Sequence, residues 1–176
     1  MAVRPIRLYG DPVLRRLSEP VETIDDDTVN LISSLVATVD HAAGLGLAAP
    51  QIGVTKRVIV VVHIDDEGRR KHLVLVNPEI VSACGEVTGE EGCLSIPGIY
   101  SNVKRPESVV VEGLDAEGGE ISIEAKGVMA RAFSHEIDHL DGVMFVDKLG
   151  VVKRSLLKKK LSEIRKRAKE MAKSPL

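Results

Sequence analysis

The stretch His135-Glu136-Ile137-Asp138-His139-Leu140-Asp141-Gly142 holds residue types that do chemistry, at a spacing that lets them act together. On a helix, histidines at i and i+4 share one face with Cβ atoms about 5–6 Å apart, within reach of a single metal ion. Glu136 then stands beside the ion rather than on it, where its carboxylate can take a proton from a metal-bound water. This is the arrangement of metal-assisted hydrolysis. Val128, Ala132, Ile137 and Leu140 supply an apolar face for the helix, and Gly142 is placed to end it as the C′ residue.

Two imidazoles do not complete such a centre, since catalytic sites of this kind use three protein ligands and keep one position open. A metzincin would place a third histidine where this chain has Phe145, so that class is excluded. A thermolysin-like enzyme would draw a glutamate from a later helix, for which Glu163 is available. The other option lies upstream at Cys93, within Glu91-Gly92-Cys93-Leu94-Ser95, where a thiolate is the strongest soft donor in the chain. Spacing alone leaves both open.

The elements that must position these residues can be read from the rest of the chain. A length of 176 residues with 44% hydrophobic content suits one domain, and with no Trp, two Phe and two Tyr its core must be aliphatic. The N-terminus Met1-Ala2-Val3-Arg4-Pro5-Ile6-Arg7 has no apolar signal core, and no run approaches a membrane span, so a reduced, cytoplasmic chain is expected. In that compartment Cys84 reads as a small packed residue without a role. Charge is distributed unevenly. Residues 151–176 hold ten of the 24 basic side chains and two of the 26 acidic ones, so this tail carries +8 and the remainder −10.

Asp11-Pro12 reads as an N-cap with Pro at N1, opening a short helix through Leu17. A longer helix begins at Asp25-Asp26-Asp27, repeats Val29, Ile32, Leu35/Val36 and Val39 at helical spacing, and closes at Gly44, with His41 supporting its negative end. The small residues of Gly44-Leu45-Gly46-Leu47-Ala48-Ala49-Pro50-Gln51 allow close approach of another backbone or a ligand, and Gln51 carries an amide able to donate to a developing oxyanion. Strands are expected at Arg57 to Ile64 and His72 to Ile80, with His63 and His72 as surface or cross-strand residues flanking a turn. A second hairpin is expected from Ser108 to Leu114 and Glu120 to Lys126. The last helix, from about Val151 to Ala172, presents Val152, Leu156, Leu161, Ile164, Ala168 and Met171 as one apolar stripe, with lysines and arginines elsewhere. The pattern predicts a single α+β domain over residues 1–176, with antiparallel or mixed β-sheets wrapped around a central metal-binding helix. An N-terminal helix precedes it, and residues 151–176 form a basic, amphipathic C-terminal helix.

Taken together and in order, Gly44 to Gln51, Glu91 to Ser95 and His135 to His139 resemble the three signature motifs of the peptide deformylase family, and their spacing is similar to its compact bacterial form. The resemblance implies that Cys93, His135 and His139 hold one divalent ion, Fe(II) by expectation, with zinc, nickel or cobalt as possible occupants. It implies removal of the formyl group from N-formyl-methionine on new polypeptides, with Glu136 as proton carrier and the Gln51 amide and Leu94 N–H meeting the oxyanion. Backbone at Gly46 and Gly92 would pair with the peptide, Leu45, Val128 and Ala132 would form the methionine pocket, and Glu91 and Asp138, with Arg105, would orient the ligands. Ser134 departs from the family, which often has Gln there. The resemblance also implies ribosome contact through the basic C-terminal helix.

Two other readings use fewer of these features. A thermolysin-like zinc endopeptidase would rely on Glu163. A non-catalytic, metal-stabilised RNA-binding domain would close its site with a fourth ligand. Both leave the glycine-rich block unused.

Overall fold

A computed structural model describes residues 2–173. Asp11 accepts a hydrogen bond from the Val13 N–H and Pro12 follows it, as expected for an N-cap, but the helix they start is a single 3₁₀ turn, Pro12–Arg15, shorter than the sequence suggests. Helix α1 spans Asp26–His41 and is capped by Asp25, whose carboxylate accepts from the Thr28 N–H at 2.9 Å. Its end corrects the sequence reading by one residue. Ala43 takes the left-handed position with φ 52°, and the Ala43 and Gly44 N–H groups bond the carbonyls of Asp40 and Val39. Gly44 is needed for packing instead, since a Cβ there would lie 2.9 Å from Leu94 Cδ1.

Strands β1 (Gly46–Ala48), β2 (Val58–Ile64), β3 (Arg70–Cys84), β6 (Ser108–Leu114) and β7 (Glu120–Lys126) form one sheet in the order β1-β2-β3-β6-β7. Strands β4 (Val87–Cys93) and β5 (Ile96–Arg105) form a separate hairpin that the sequence reading did not anticipate, because two glycines and two glutamates in β4 mask its strand character. Every named strand pair is antiparallel. Strand β3 changes partner midway, from β2 to β6. The change occurs at a bulge where Asn77 has φ 52° and its side-chain amide bonds both the N–H and the carbonyl of Val21.

The sheet is covered on both faces. Val58, Val60 and Val62 face Leu35 and Val39 of α1, while Ile59 and Val61 face helix α2, Gly127–Leu140, through Phe133, Ile137 and Leu140. This explains why β2 reads as a continuous apolar run rather than an alternating one. Helix α2 closes as predicted. Gly142 sits at C′ with φ 70°, and the Gly142 and Val143 N–H groups bond the carbonyls of His139 and Asp138.

A third apolar cluster lies under helix α3, Val151–Lys173, where Leu161, Ile164 and Ala168 meet Ile96, Ile99, Val103 and Phe145. The rest of the predicted stripe is corrected. Val152 and Leu156 are 75% and 78% exposed and Met171 is also exposed, because the series turned to the core is the half-buried Leu157 followed by the buried Leu161, Ile164 and Ala168, one residue out of phase with Leu156. Cys84 is likewise exposed at the end of β3, not packed. His41 is the last residue of α1, His63 is exposed opposite Lys71, and His72 bonds Asp40 at 2.9 Å. No helix among the described residues is long and apolar enough to cross a membrane.

The junction between α2 and α3 is clamped by Asp147, which bonds the Met144 N–H at 2.9 Å and pairs with Arg15. Burial works against its ionisation, but the hydrogen bonds from Arg15 and the Met144 N–H outweigh this and hold its carboxyl below the ordinary 3.8. A group whose folded pKa is depressed contributes stability above its unfolded pKa and loses it as pH falls through the folded value. The expected result is therefore an acid-side loss of about 0.5–1 kcal/mol, the range for a half-exposed pair. Asp147→Asn keeps the acceptor for Met144 but lacks the ion pair. Denaturant titrations at pH 7 and pH 3 should show a smaller stability difference in the variant than in the wild type.

Candidate metal centre

Helix α2 and the tip of the β4–β5 hairpin meet above the sheet, and their side chains converge. His135 and His139 lie one turn apart on α2, and Cys93 ends β4. Cys93 Sγ is 3.2 Å from His139 Nε2, which is 3.2 Å from His135 Nε2, and the three ligand atoms lie within 4.8 Å of one another. Bonds of about 2.0–2.3 Å in a tetrahedral centre place ligand atoms about 3.3–3.6 Å apart, so this spacing suits one shared cation.

The protonation pattern points the same way. Glu91 is buried and its Oε2 lies 3.0 Å from His135 Nδ1. Burial opposes ionisation of Glu91, yet the Arg105 guanidinium and His135 hold its carboxyl well below the usual carboxylate range. An ionised Glu91 requires the proton on Nδ1, so Nε2, which faces Cys93 and His139, is the nitrogen left to ligate a metal once its own proton is displaced. Burial opposes the charged imidazole, yet Cys93 and Glu91 hold His135 well above its ordinary 6.5. Arg105 bonds both Glu91 oxygens, at 2.7 and 2.9 Å, and also pairs with Asp138, which in turn meets Lys148 at 3.2 Å. His139 Nδ1 is buried without a partner among the described residues.

Glu136 faces a cavity of about 700 Å³ that lies beside the three donors. Its Oε2 is buried without a hydrogen-bond partner among the described residues, and burial pushes its carboxyl up to about 7. Gln51, fully buried in the 3₁₀ turn Ala49–Ile52, has an amide orientation set by the backbone. Its Oε1 accepts from the Ala48 N–H at 2.8 Å, so its Nε2 must face Cys93 Sγ at 3.5 Å and Ser95 Oγ at 3.2 Å.

The same cavity is lined by Leu45, Gly46, Gly92, Leu94, Val128 and Ala132. Val128 and Leu45 are exposed, and Val128 therefore contributes to the cavity wall rather than to the apolar face that packs α2 on the sheet. Gly46 is on the free edge of β1 and Gly92 on β4, whose only strand partner among the described residues is β5. A Cβ on Gly46 would lie 2.8 Å from the Glu136 carboxyl carbon. Gly46→Ala is accordingly expected to displace that carboxylate and lower kcat/KM about 10²-fold, the usual consequence of a misplaced reacting group. Metal content by elemental analysis should stay at the wild-type value, because Gly46 touches no ligand atom.

Some expectations change here. Glu163 is exposed on α3 and is not part of the metal-ligand group, so the thermolysin-like arrangement is not formed. Three protein donors converge rather than the four that a closed structural site needs. Ser134, where the family often has Gln, directs its hydroxyl back to the Ala130 carbonyl at 2.8 Å within α2. Three residues at the site were not anticipated. Ser95 holds the Gln51 amide, Tyr100 lays its ring against Gly92, and Arg131 bonds Glu91 Oε1 at 2.8 Å. For Arg131 a signal existed, a lone cation four residues before His135 on the same helix face.

Comparison with known proteins agrees with this geometry. The family model for polypeptide deformylase matches residues 3–155. The peptide deformylase of Thermodesulfovibrio yellowstonii is 49% identical over 160 residues, covering 91% of this chain and 97% of that one. That of Rhizobium meliloti is 44% identical over 168 residues, covering 94% of this chain and 96% of that one. Among solved structures, the peptide deformylase of Legionella pneumophila superposes with a TM-score of 0.86 at 43% identity, covering 99% of this chain and all of that one. With a matching family model, relatives aligned over nearly their whole length and a shared backbone, the chain belongs to the polypeptide deformylase family.

Proposed function

We propose that this chain, as one catalytic domain in the cytoplasm, hydrolyses the formyl amide of N-formyl-methionine on newly made polypeptides, releasing formate and a free amino terminus. The observation that carries this reading is the convergence of Cys93, His135 and His139 beside a Glu136 carboxyl oxygen that has no partner among the described residues. Those three residues hold a divalent ion, Fe(II) by preference, although the same donors can take zinc, nickel or cobalt. The ion supplies Lewis acidity, lowering the pKa of water and polarising the formyl carbonyl.

The protein's own groups do the rest. Glu136 accepts the proton of the attacking water and returns it to the leaving amine. The Gln51 amide and the Leu94 N–H donate to the developing oxyanion. The peptide adds as a strand along Gly46 and Gly92, and its methionine side chain enters between Leu45, Val128 and Ala132. Glu91, held by Arg105 and Arg131 while Asp138 braces Arg105 from its other side, keeps the His135 Nδ1 proton in place so that Nε2 is the ligating nitrogen.

The test is formate release from a formyl-Met tripeptide, with the acetylated peptide as control. Protein must be prepared without oxygen, because Fe(II) beside a thiolate is prone to oxidation. Formate should appear while internal peptide bonds stay intact. Failure by protein carrying one metal per chain would overturn the reading.

For a macromolecular partner, α3 presents Lys158, Lys159 and Lys160 to solvent beside the exposed Leu156, which supports contact with ribosomal RNA. Reversing these three lysines to glutamate should weaken co-sedimentation with ribosomes, and wild-type binding should fall steeply with added salt.

A further inference from the structure

Arg131 lies one turn before His135 on α2, and its side chain is only 14% exposed. Its guanidinium spans the gap to the β4–β5 hairpin. Nη1 donates to the carbonyls of Gly89 at 3.2 Å and Val103 at 3.0 Å and to Glu91 Oε1 at 2.8 Å, and Nη2 donates to the Val87 carbonyl at 3.1 Å. All four acceptors belong to the hairpin that carries Cys93, whereas Arg131 belongs to the helix that carries both imidazoles. No backbone hydrogen bond joins that helix to the hairpin among the described residues. The placement of the thiolate against the histidines therefore depends on side chains that cross between the two elements. Arg131 makes more of these crossing bonds than Arg105 does, and among the described residues it is the one side chain of α2 that bonds the hairpin's main chain on both strands. Gly89 makes room for it, since a Cβ there would lie 2.8 Å from Nη2 and 3.1 Å from Cζ.

We propose that Arg131 is a positioning residue that sets the separation between the Cys93 thiolate and the two imidazoles, and through it the tightness with which the centre holds a divalent cation. Only a planar, multiply donating fork does this. A lysine keeps the charge but cannot reach carbonyls on two strands at once. The inference rests on the proposed metal centre and not on the identity of the substrate.

The test uses metal-free full-length protein titrated with Co(II) against a chromophoric chelator, together with the thiolate-to-Co(II) absorption band. Arg131→Met should bind Co(II) about 10–100-fold more weakly, the usual effect of removing a group that orients ligands, and its band should shift. Arg131→Lys should recover little of this, and Gly89→Ala, which crowds the guanidinium, should weaken binding in the same direction. A merely structural role would lower the melting temperature of the metal-free protein and leave the affinity of the folded protein unchanged, and that result overturns the proposal. If Arg131→Met does not fold, Arg131→Lys and Gly89→Ala decide, and wild-type affinity in both overturns it. Wild-type protein that shows the thiolate band but releases no formate would sink the deformylase reading alone. Absence of the band would sink both.

Discussion

Glu136→Gln should lower the rate of formate release by about 10²–10⁴-fold, the range supplied by a positioned proton carrier. The amide has nearly the same shape, so substrate binding and metal content should be unchanged, and the loss should fall on kcat rather than KM. Stability should move the other way. The Glu136 side chain is buried with one oxygen lacking a partner among the described residues, and burial raises its carboxyl to about 7, so the fold gains nothing from its charge. Replacing it by a neutral amide should leave the melting temperature equal or higher. Retained activity with full metal occupancy would show that another group carries the proton.

Cys93→Ala should remove the metal itself. It deletes one of three convergent donors and leaves two imidazoles, too few for a stable centre. Elemental analysis should fall from one ion per chain towards none, and formate release should drop at least about 10³-fold, corresponding to the several kcal/mol that a Lewis-acid centre contributes. The backbone should survive. Cys93 lies at the end of a hairpin strand and only its sulfur enters the centre, so a circular dichroism spectrum like that of the wild type is expected. The two variants separate two roles. One loses the proton carrier with the metal in place, and the other loses the metal with the carrier in place. Activity and metal content both preserved in Cys93→Ala would force the third ligand to be sought elsewhere, although Glu163, exposed on α3, is not positioned to serve.

Much of the molecule could be read locally. The spacing of His135, Glu136 and His139 specifies one helix face, and Gly142 ends that helix where a residue free of a Cβ is needed, since a Cβ there would lie 2.7 Å from the Arg15 carbonyl oxygen. Strands β6 and β7 run over the residues their composition indicates, because Val, Ile and alternation are properties of the segment itself. The α+β class follows from the same periodicities. Where a segment owes its conformation to a distant partner, local reading fails. Strand β4 holds two glycines and two glutamates and is a strand because β5 pairs with it. Leu156 looks as apolar as Leu157, but the packing of α3 on Ile96, Val103 and Phe145 selects only the latter's face.

The donor types at residues 93, 135 and 139, the carboxylate beside them and the helix that carries three of these four residues were determined by the order of the amino acids. Tertiary structure alone decided that the sulfur from one hairpin meets nitrogens from a helix more than forty positions later. It also decided that the charges of Glu91, Arg105, Arg131 and Asp138 cancel across three elements. The reason is physical. Periodicity and capping are short-range constraints written into neighbouring residues, whereas a buried ion network exists only after folding has excluded water and brought opposite charges to within about 3 Å of each other.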